Sequence, residues 1–194
     1  GTEFTYSFWM FIKDTNFNAN SASSCSAADL PLLHVFHKGS NDYIASGSTS
    51  NKSGVYYPLL QMPGVWLYPN TNKLNIRFNT YNNVVETADV GNIPLNSWVN
   101  IIVILIGSSV DVYINGNLKK SLKLSGIPKQ NYGDVYVNAF GGFSGFLSRL
   151  RYYDYALNYN EIDSVLKLGP NMMPCADTGE RPPYLTPNWW TNDN

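Results

Sequence analysis

Alternation of apolar and polar positions runs through most of the chain. In Phe4-Thr5-Tyr6-Ser7-Phe8-Trp9-Met10-Phe11-Ile12, one face of an extended strand collects Phe4, Tyr6, Phe8, Met10 and Ile12. Leu32 to His37 reads as a second strand, closed by Lys38-Gly39. Gly64 to Tyr68 and Lys73 to Asn79 follow, the latter with Leu74, Ile76 and Phe78 inward, and Val84 to Val90 is another short strand. Trp98 to Ile106 is almost wholly apolar and β-branched, the pattern of a central strand covered on both faces. Val110 to Ile114 leads into Asn115-Gly116 and returns as Asn117 to Leu124, a hairpin signal because both turn residues need positive φ. Val135 to Ala139 and Gly145 to Tyr153 complete about ten short strands at even spacing.

The period changes once. Residues 158–168 begin with a capping Asn, place Ile162, Val165 and Leu166 on one helical face, and stop at Gly169-Pro170. Asn16 to Asp29 and Ser40 to Gly54 are small, polar and loop-like. The predicted fold class is all-β: a two-sheet antiparallel jelly-roll sandwich with one short helix near the C-terminus. It occupies residues 1–170. The Pro- and Trp-rich stretch 171–194 is a tail expected to pack on the same domain, burying Trp189 or Trp190. No repeat at a solenoid period is present.

Composition narrows the partners. Only 14% of the 194 residues are charged, the net charge is -1 and no Lys/Arg run occurs. Nucleic acid would demand a basic footprint, so it is excluded as a partner. The longest apolar stretch, Trp98 to Ile106, is too short to cross a bilayer, and no direct membrane insertion is expected of this segment. The chain begins at Gly1, already at the edge of a strand-like run. We therefore expect a fragment anchored by a segment outside it, on an extracellular or virion surface. The sequon Asn51-Lys52-Ser53 agrees with a secreted context.

Several runs resemble the concanavalin A-like superfamily, in its laminin G-like branch. They are Phe4 to Met10; Trp98-Val99-Asn100-Ile101 followed by Val112-Tyr113-Ile114-Asn115-Gly116; and Phe143 to Leu157 followed by Glu161-Ile162. The resemblance covers residues 4–170. The ending Gly169-Pro170-Asn171 with its Pro/Trp tail is similar to laminin G-like proteins of large DNA viruses of algae and protists. The resemblance implies structural roles: Trp9 and Trp98 in the core, Asn115-Gly116 in a turn, Gly145 at a close packing point or bend.

The superfamily includes β-glucanases, whose likeness would require carboxylates at i, i+2 and i+4 of one strand. Here Glu161 and Asp163 are followed by Val165, and the segment reads as helix, so no catalytic residue is assigned and the chain is not expected to be an enzyme. His34 and His37, three apart on a strand, should point to opposite faces. Calcium is the one cofactor left open, because many relatives of this type carry it. Asp42, Asp89, Asp134 and Asp154 lie near strand ends, and ordinary solvated acids are the competing reading.

A binding module is the reading that remains. Its expected partner is a glycan or glycoprotein, with Asp42, Tyr43, Tyr57 and Trp66 as the carbohydrate-binding residues: aromatic faces stack on sugar rings while neighbouring Asn and Asp orient hydroxyls. Trp66 is equally readable as a sheet-face or core residue. The rival is a structural or adhesive module, such as a coat component that contacts other coat or surface proteins. Cys25 and Cys175 leave a long-range disulfide or two free thiols open. In an oxidising compartment we expect the bridge, which would stabilise by about 4–5 kcal/mol in the chain-entropy picture. Intact mass of the natively produced protein with and without reductant checks this; two free thiols would reject it.

Overall fold

The structure is a computed structural model. It describes residues 3–14, 32–40, 43–45, 56–58, 60–69, 71–139 and 141–172, with the backbone alone at 43–45 and 56–58. Strands β1 (Glu3–Ile12), β8 (Trp98–Ile106), β9 (Ser109–Ile114), β10 (Asn117–Lys123) and β12 (Gly145–Tyr153) form a first sheet in the order β10-β9-β8-β1-β12. Strands β2 (Leu33–Gly39), β5 (Gln61–Leu67), β6 (Leu74–Phe78), β7 (Glu86–Val90) and β11 (Asp134–Val137) form a second in the order β11-β2-β5-β6-β7. A two-stranded ribbon, β3 (Tyr43–Ala45) with β4 (Tyr56–Pro58), stands between β2 and β5 in sequence. Every strand pairing is antiparallel. The all-β sandwich read from the alternation is the architecture found.

The core forms because each strand turns its apolar set inward. From β1 come Phe4, Tyr6, Phe8, Met10 and Ile12; from β8 come Val99, Ile101, Val103 and Leu105. They meet Phe36, Val65, Leu67, Leu74, Ile76 and Phe78 of the second sheet, and the Phe8 and Phe36 rings pack edge to face at 5.2 Å between centroids. Strand β8 is also covered on its outer side. Ile102 and Ile104 form a second cluster with Leu157, Ile162 and Val165, against the helix α1 (Tyr159–Lys167). That two-sided burial is why β8 lacks polar alternation.

Helix α1 starts where the sequence placed it. The Asn158 side chain accepts from the Glu161 amide and the Glu161 carboxylate accepts from the Asn158 amide, a complete capping box. The β9–β10 turn holds Asn115 at φ 48° and Gly116 at φ 76°, as its Asn-Gly pair requires. Gly145 is a close packing point: an added Cβ would lie 2.0 Å from the Phe11 carbonyl oxygen. After the helix, Asn171 is tied back to β12 through Ser148, whose hydroxyl accepts from the Asn171 amide and donates to its carbonyl. The tail beyond residue 172, both cysteines, Asp42 and the Asn51 sequon lie outside the described residues.

The two tryptophans expected in the core are half-buried on the outer face of the first sheet. With Phe8 and Met10 inward, parity sends Trp9 outward, where it lies beside Val165 and Leu168 at the end of α1. With Val99 and Ile101 inward, Trp98 likewise points out and packs on Phe11 and Phe146. The Ser40–Gly54 region, expected as one loop, contains β3, which pairs with β4 as a ribbon.

Core packing gives the first test. Phe8→Ala should cost about 3–5 kcal/mol, the range for deleting a fully buried ring. Tyr132→Ala, at a residue with no buried side-chain surface, should stay within about 0.5 kcal/mol. Denaturant unfolding of both variants measures the difference, and equal losses would contradict the assigned core.

Candidate binding cleft

At one end of the sandwich the two sheets part and leave a cleft of about 530 Å³. One wall is Phe4 and Tyr6 of β1, Leu105 of β8 and Tyr152 of β12; the other is Lys38 of β2, Met62 of β5 and Val135 of β11. The loop from Pro128 to Tyr132 closes one side. On the first-sheet side the cleft is lined by inward residues of β1 and β12. Tyr152, directly opposite Tyr6 in register, is half exposed although its row is the core row. Their rings lie 5.2 Å apart. Burial holds the Tyr6 phenol well above its ordinary value, with Tyr152 adding to the shift, so it remains protonated.

Backbone contacts to the second sheet position the loop wall. Thr80 bridges Pro128, the Tyr81 amide donates to the Ile127 carbonyl at 3.0 Å, and the Lys129 amide donates to the Asn79 carbonyl at 2.8 Å. Further on, the Asn131 side chain accepts from the Gly133 amide and donates to the Lys38 carbonyl, while the Lys38 ammonium donates to the Gly133 carbonyl. Residue 133 approaches β2 so closely that a Cβ would lie 1.9 Å from the Gly39 carbonyl oxygen, hence glycine. This holds Tyr132 out in solvent at the cleft rim with Gln130 and Asn131 beside it. Sequence reading missed Tyr132, Tyr152 and the 128–132 loop. Tyr152 carried a parity signal; Tyr132 carried none, since its place depends on a loop anchored to a distant strand.

The expected sugar-binding residues divide. Tyr43 and Tyr57 lie on the ribbon, whose backbone begins four residues after Gly39 and ends three before Gln61. Chain length therefore keeps the ribbon's start within roughly 14 Å of the Lys38–Met62 wall. Asp42 lies outside the described residues. Trp66 is a correction: it is 1% exposed, and its Nε1–H donates to Gln61 Oε1 at 2.9 Å on the outer face of the second sheet, away from the cleft. A ring so covered offers no face to a sugar. The alternative reading of Trp66 as a sheet-face or core residue is the one its burial fits.

The histidines are a second correction. His34 and His37 share one face, both buried, with His34 Nε2 and His37 Nδ1 2.8 Å apart. Pairing between β2 and β5 passes from His34↔Trp66 to Phe36↔Val65, so Val35 is an extra residue. That bulge turns the pleat by one position and brings i and i+3 together. The ring roles follow by elimination. The Ala139 amide donates to His34 Nδ1, so His34 Nε2–H donates to His37 Nδ1, and His37 Nε2–H donates to the Ser40 carbonyl at 3.2 Å. Tyr136 of β11 stacks on His37 and Trp66 packs against His34. Burial, then the adjacent His37, pushes His34 down to about 3; burial also lowers His37 despite the Ser40 carbonyl.

The acids do not converge. Asp89 accepts from Lys73 at 2.8 Å, from Asn75 at 2.7 Å and from the Tyr68 hydroxyl, while Asp134 opens β11 and Asp154 follows β12. Among the described residues no group of three or more His, Cys, Asp or Glu could hold a metal ion. Glu161 serves the helix cap and accepts from the Tyr155 hydroxyl, and Asp163 pairs with Lys167. Both carboxylates thus have helical partners rather than a shared cleft. Among the described residues no helix is long and apolar enough to cross a membrane.

Sheet order and the apolar interface define a two-layer antiparallel β-sandwich with a cleft at one end. The chain belongs to the concanavalin A-like lectin/glucanases superfamily, whose family model matches residues 1–163. Among solved structures it is similar in fold to the binding domain of botulinum neurotoxin serotype G, with TM-score 0.59 and 17% identity over 86% of this chain and 36% of that one. The serotype D binding domain gives TM-score 0.58 and 12% identity, again over 86% of this chain and 36% of that chain. The present chain spans about a third of those chains. No curated protein matches it.

The histidine pair predicts acid sensitivity. Both folded-state values lie below the ordinary histidine value of about 6.5, so the unfolded chain binds protons first as pH falls. The neutral pair contributes its full stability above about pH 6.5 and loses it below, by up to about 1.4 kcal/mol per pH unit per histidine. Unfolding midpoints at a series of pH values should fall across that window, and His34→Gln with His37→Gln should flatten the fall. An unchanged slope in the double variant would reject the assignment.

Proposed function

We propose that the domain is a non-catalytic module that binds carbohydrate on a cell or virion surface, with the terminal cleft as its site. The observation that carries this reading is the pairing of an exposed Tyr132 and a half-exposed Tyr152 with Gln130 and Asn131 around one cleft. Aromatic faces supply apolar contact to sugar rings, and amides match their hydroxyls. Tyr43 and Tyr57, on a ribbon whose start chain length keeps within roughly 14 Å of the Lys38–Met62 wall, are candidate extensions of the site. Likeness in fold to domains named as binding domains supports recognition, and the superfamily, which includes lectins, is compatible with it. The partner is a surface glycan or glycoprotein, and the setting is extracellular or a virion surface.

A second reading draws on a different face. Phe11, Trp98 and Phe146 form an aromatic cluster on the outer side of the first sheet, with the Lys13 ammonium 4.7 Å from the Phe146 ring centre. Phe146 is 53% exposed. Such a patch suits contact with another coat or surface protein.

Titration of a glycan panel separates the two. Affinity per site should be modest, roughly micromolar to millimolar, because an open wet cleft buries little area. Tyr132→Ala and Tyr152→Ala should each weaken binding about tenfold, the scale of one lost stacking contact. Tyr43→Ala and Tyr57→Ala test the ribbon. Absence of any glycan binding at millimolar concentration would favour the structural module, and binding that survives all four substitutions would move the site elsewhere.

A further inference from the structure

We infer that the ligand of the cleft is an acidic sugar, carrying a carboxylate or sulfate; this rests on the carbohydrate reading of the same site. The chain as a whole is nearly neutral, with 13 basic and 14 acidic residues. The cleft departs from that balance. Its two charged lining residues, Lys38 and Lys129, are both cationic, and no carboxylate lines it among the described residues. The two ion pairs among the described residues, Lys73 with Asp89 and Lys167 with Asp163, lie elsewhere, so no carboxylate there neutralises either cleft lysine. Lys38 donates to the Gly133 carbonyl, which occupies one of its three N–H donors, and Lys129 stands 5.8 Å from the Tyr81 ring centre.

Both lysines are half-buried residues beside an apolar floor of Phe4, Leu105 and Met62. A cation there makes a charge-assisted hydrogen bond to an incoming anion, which is stronger than its bond to a neutral hydroxyl. Lys38 comes from β2 and Lys129 from the anchored loop, and both line the same cleft as Tyr152 and Tyr132. A sugar whose ring meets the tyrosines would therefore present its acidic group to the lysines. The overall charge of the chain does not set this preference; local charge around the cleft governs selectivity.

The test uses the whole chain and matched pairs that differ in charge: tetragalacturonate and its methyl ester, sialyllactose and lactose, a heparin tetrasaccharide and its desulfated form. Calorimetric titration should show at least one acidic member binding about tenfold or more tightly than its neutral partner, with affinity falling as salt is raised. Lys129→Gln and Lys38→Gln should each narrow that gap, and Lys129→Arg should retain it. Should Lys38→Gln disturb the Gly133 contact and the fold, Lys129→Gln alone still decides. Equal binding of acidic and neutral partners, still lost in Tyr132→Ala, overturns the charge inference and leaves the carbohydrate reading standing. A charge preference that survives both lysine substitutions places the anion elsewhere and overturns the inference. Binding to none of the sugars overturns both.

Discussion

The structure depends on the burial of β1 and β8 side by side. Their register runs from Glu3↔Ile106 to Phe11↔Trp98 without a break, which places two apolar rows against the second sheet. Phe8, with none of its surface exposed, sits edge to face on Phe36 and joins the sheets. A one-residue slip would turn Thr5, Ser7 and Trp9 into the core, so the register is set by the pattern itself. With that pair fixed, β9 and β10 follow by their hairpin, β12 adds to the free side of β1, and α1 covers the outer side of β8.

The candidate site lies where this regularity ends or is interrupted. On β12 the core row passes into the cleft lining, and Tyr152, half exposed, becomes part of its wall. The loop that closes the cleft is held through backbone contacts to Asn79 and Tyr81 and through Asn131, Gly133 and Lys38. In the proposed binding, a site built from such anchored parts would need little reordering, which would limit the entropy lost on association. The bulge at Val35 acts on the opposite face. It places His34 and His37 in a hydrogen-bonded series from Ala139 to Ser40 that ties β2 to the segments at either end. Lys38, next in the chain, lies on the cleft side. The neutral histidine series and the cationic cleft wall are therefore neighbours on one strand with opposite electrostatic demands, set apart by the pleat.

Much of the fold was legible because it rests on short-range periodicity. The period-two rows of β1, β6 and β8, the Asn115-Gly116 turn and the Asn158 cap each express a local physical preference, and each appears where it was read. The same parity, applied to Trp9 and Trp98, already placed them outward; assigning them to the core gave bulk more weight than position. The absence of a third carboxylate at Val165 was equally plain, and Glu161 and Asp163 indeed serve the helix.

The remainder required three dimensions. No local signal marks Val35 as an extra residue, since a bulge is settled by how β2 must match β5, and that one residue decided where both histidines point. Trp66 read as a candidate platform because it is an aromatic beside a polar, loop-like stretch, whereas its covering is a property of the assembled face. Tyr6, Tyr132 and Tyr152 meet around one cleft from strand, loop and strand far apart in the chain, and Lys38 and Lys129 face it from different elements. The sequence by itself determined the sandwich, because burial of alternating side chains is a local pattern. Only the tertiary structure decided the site, because a cleft is made by where two sheets stop covering each other.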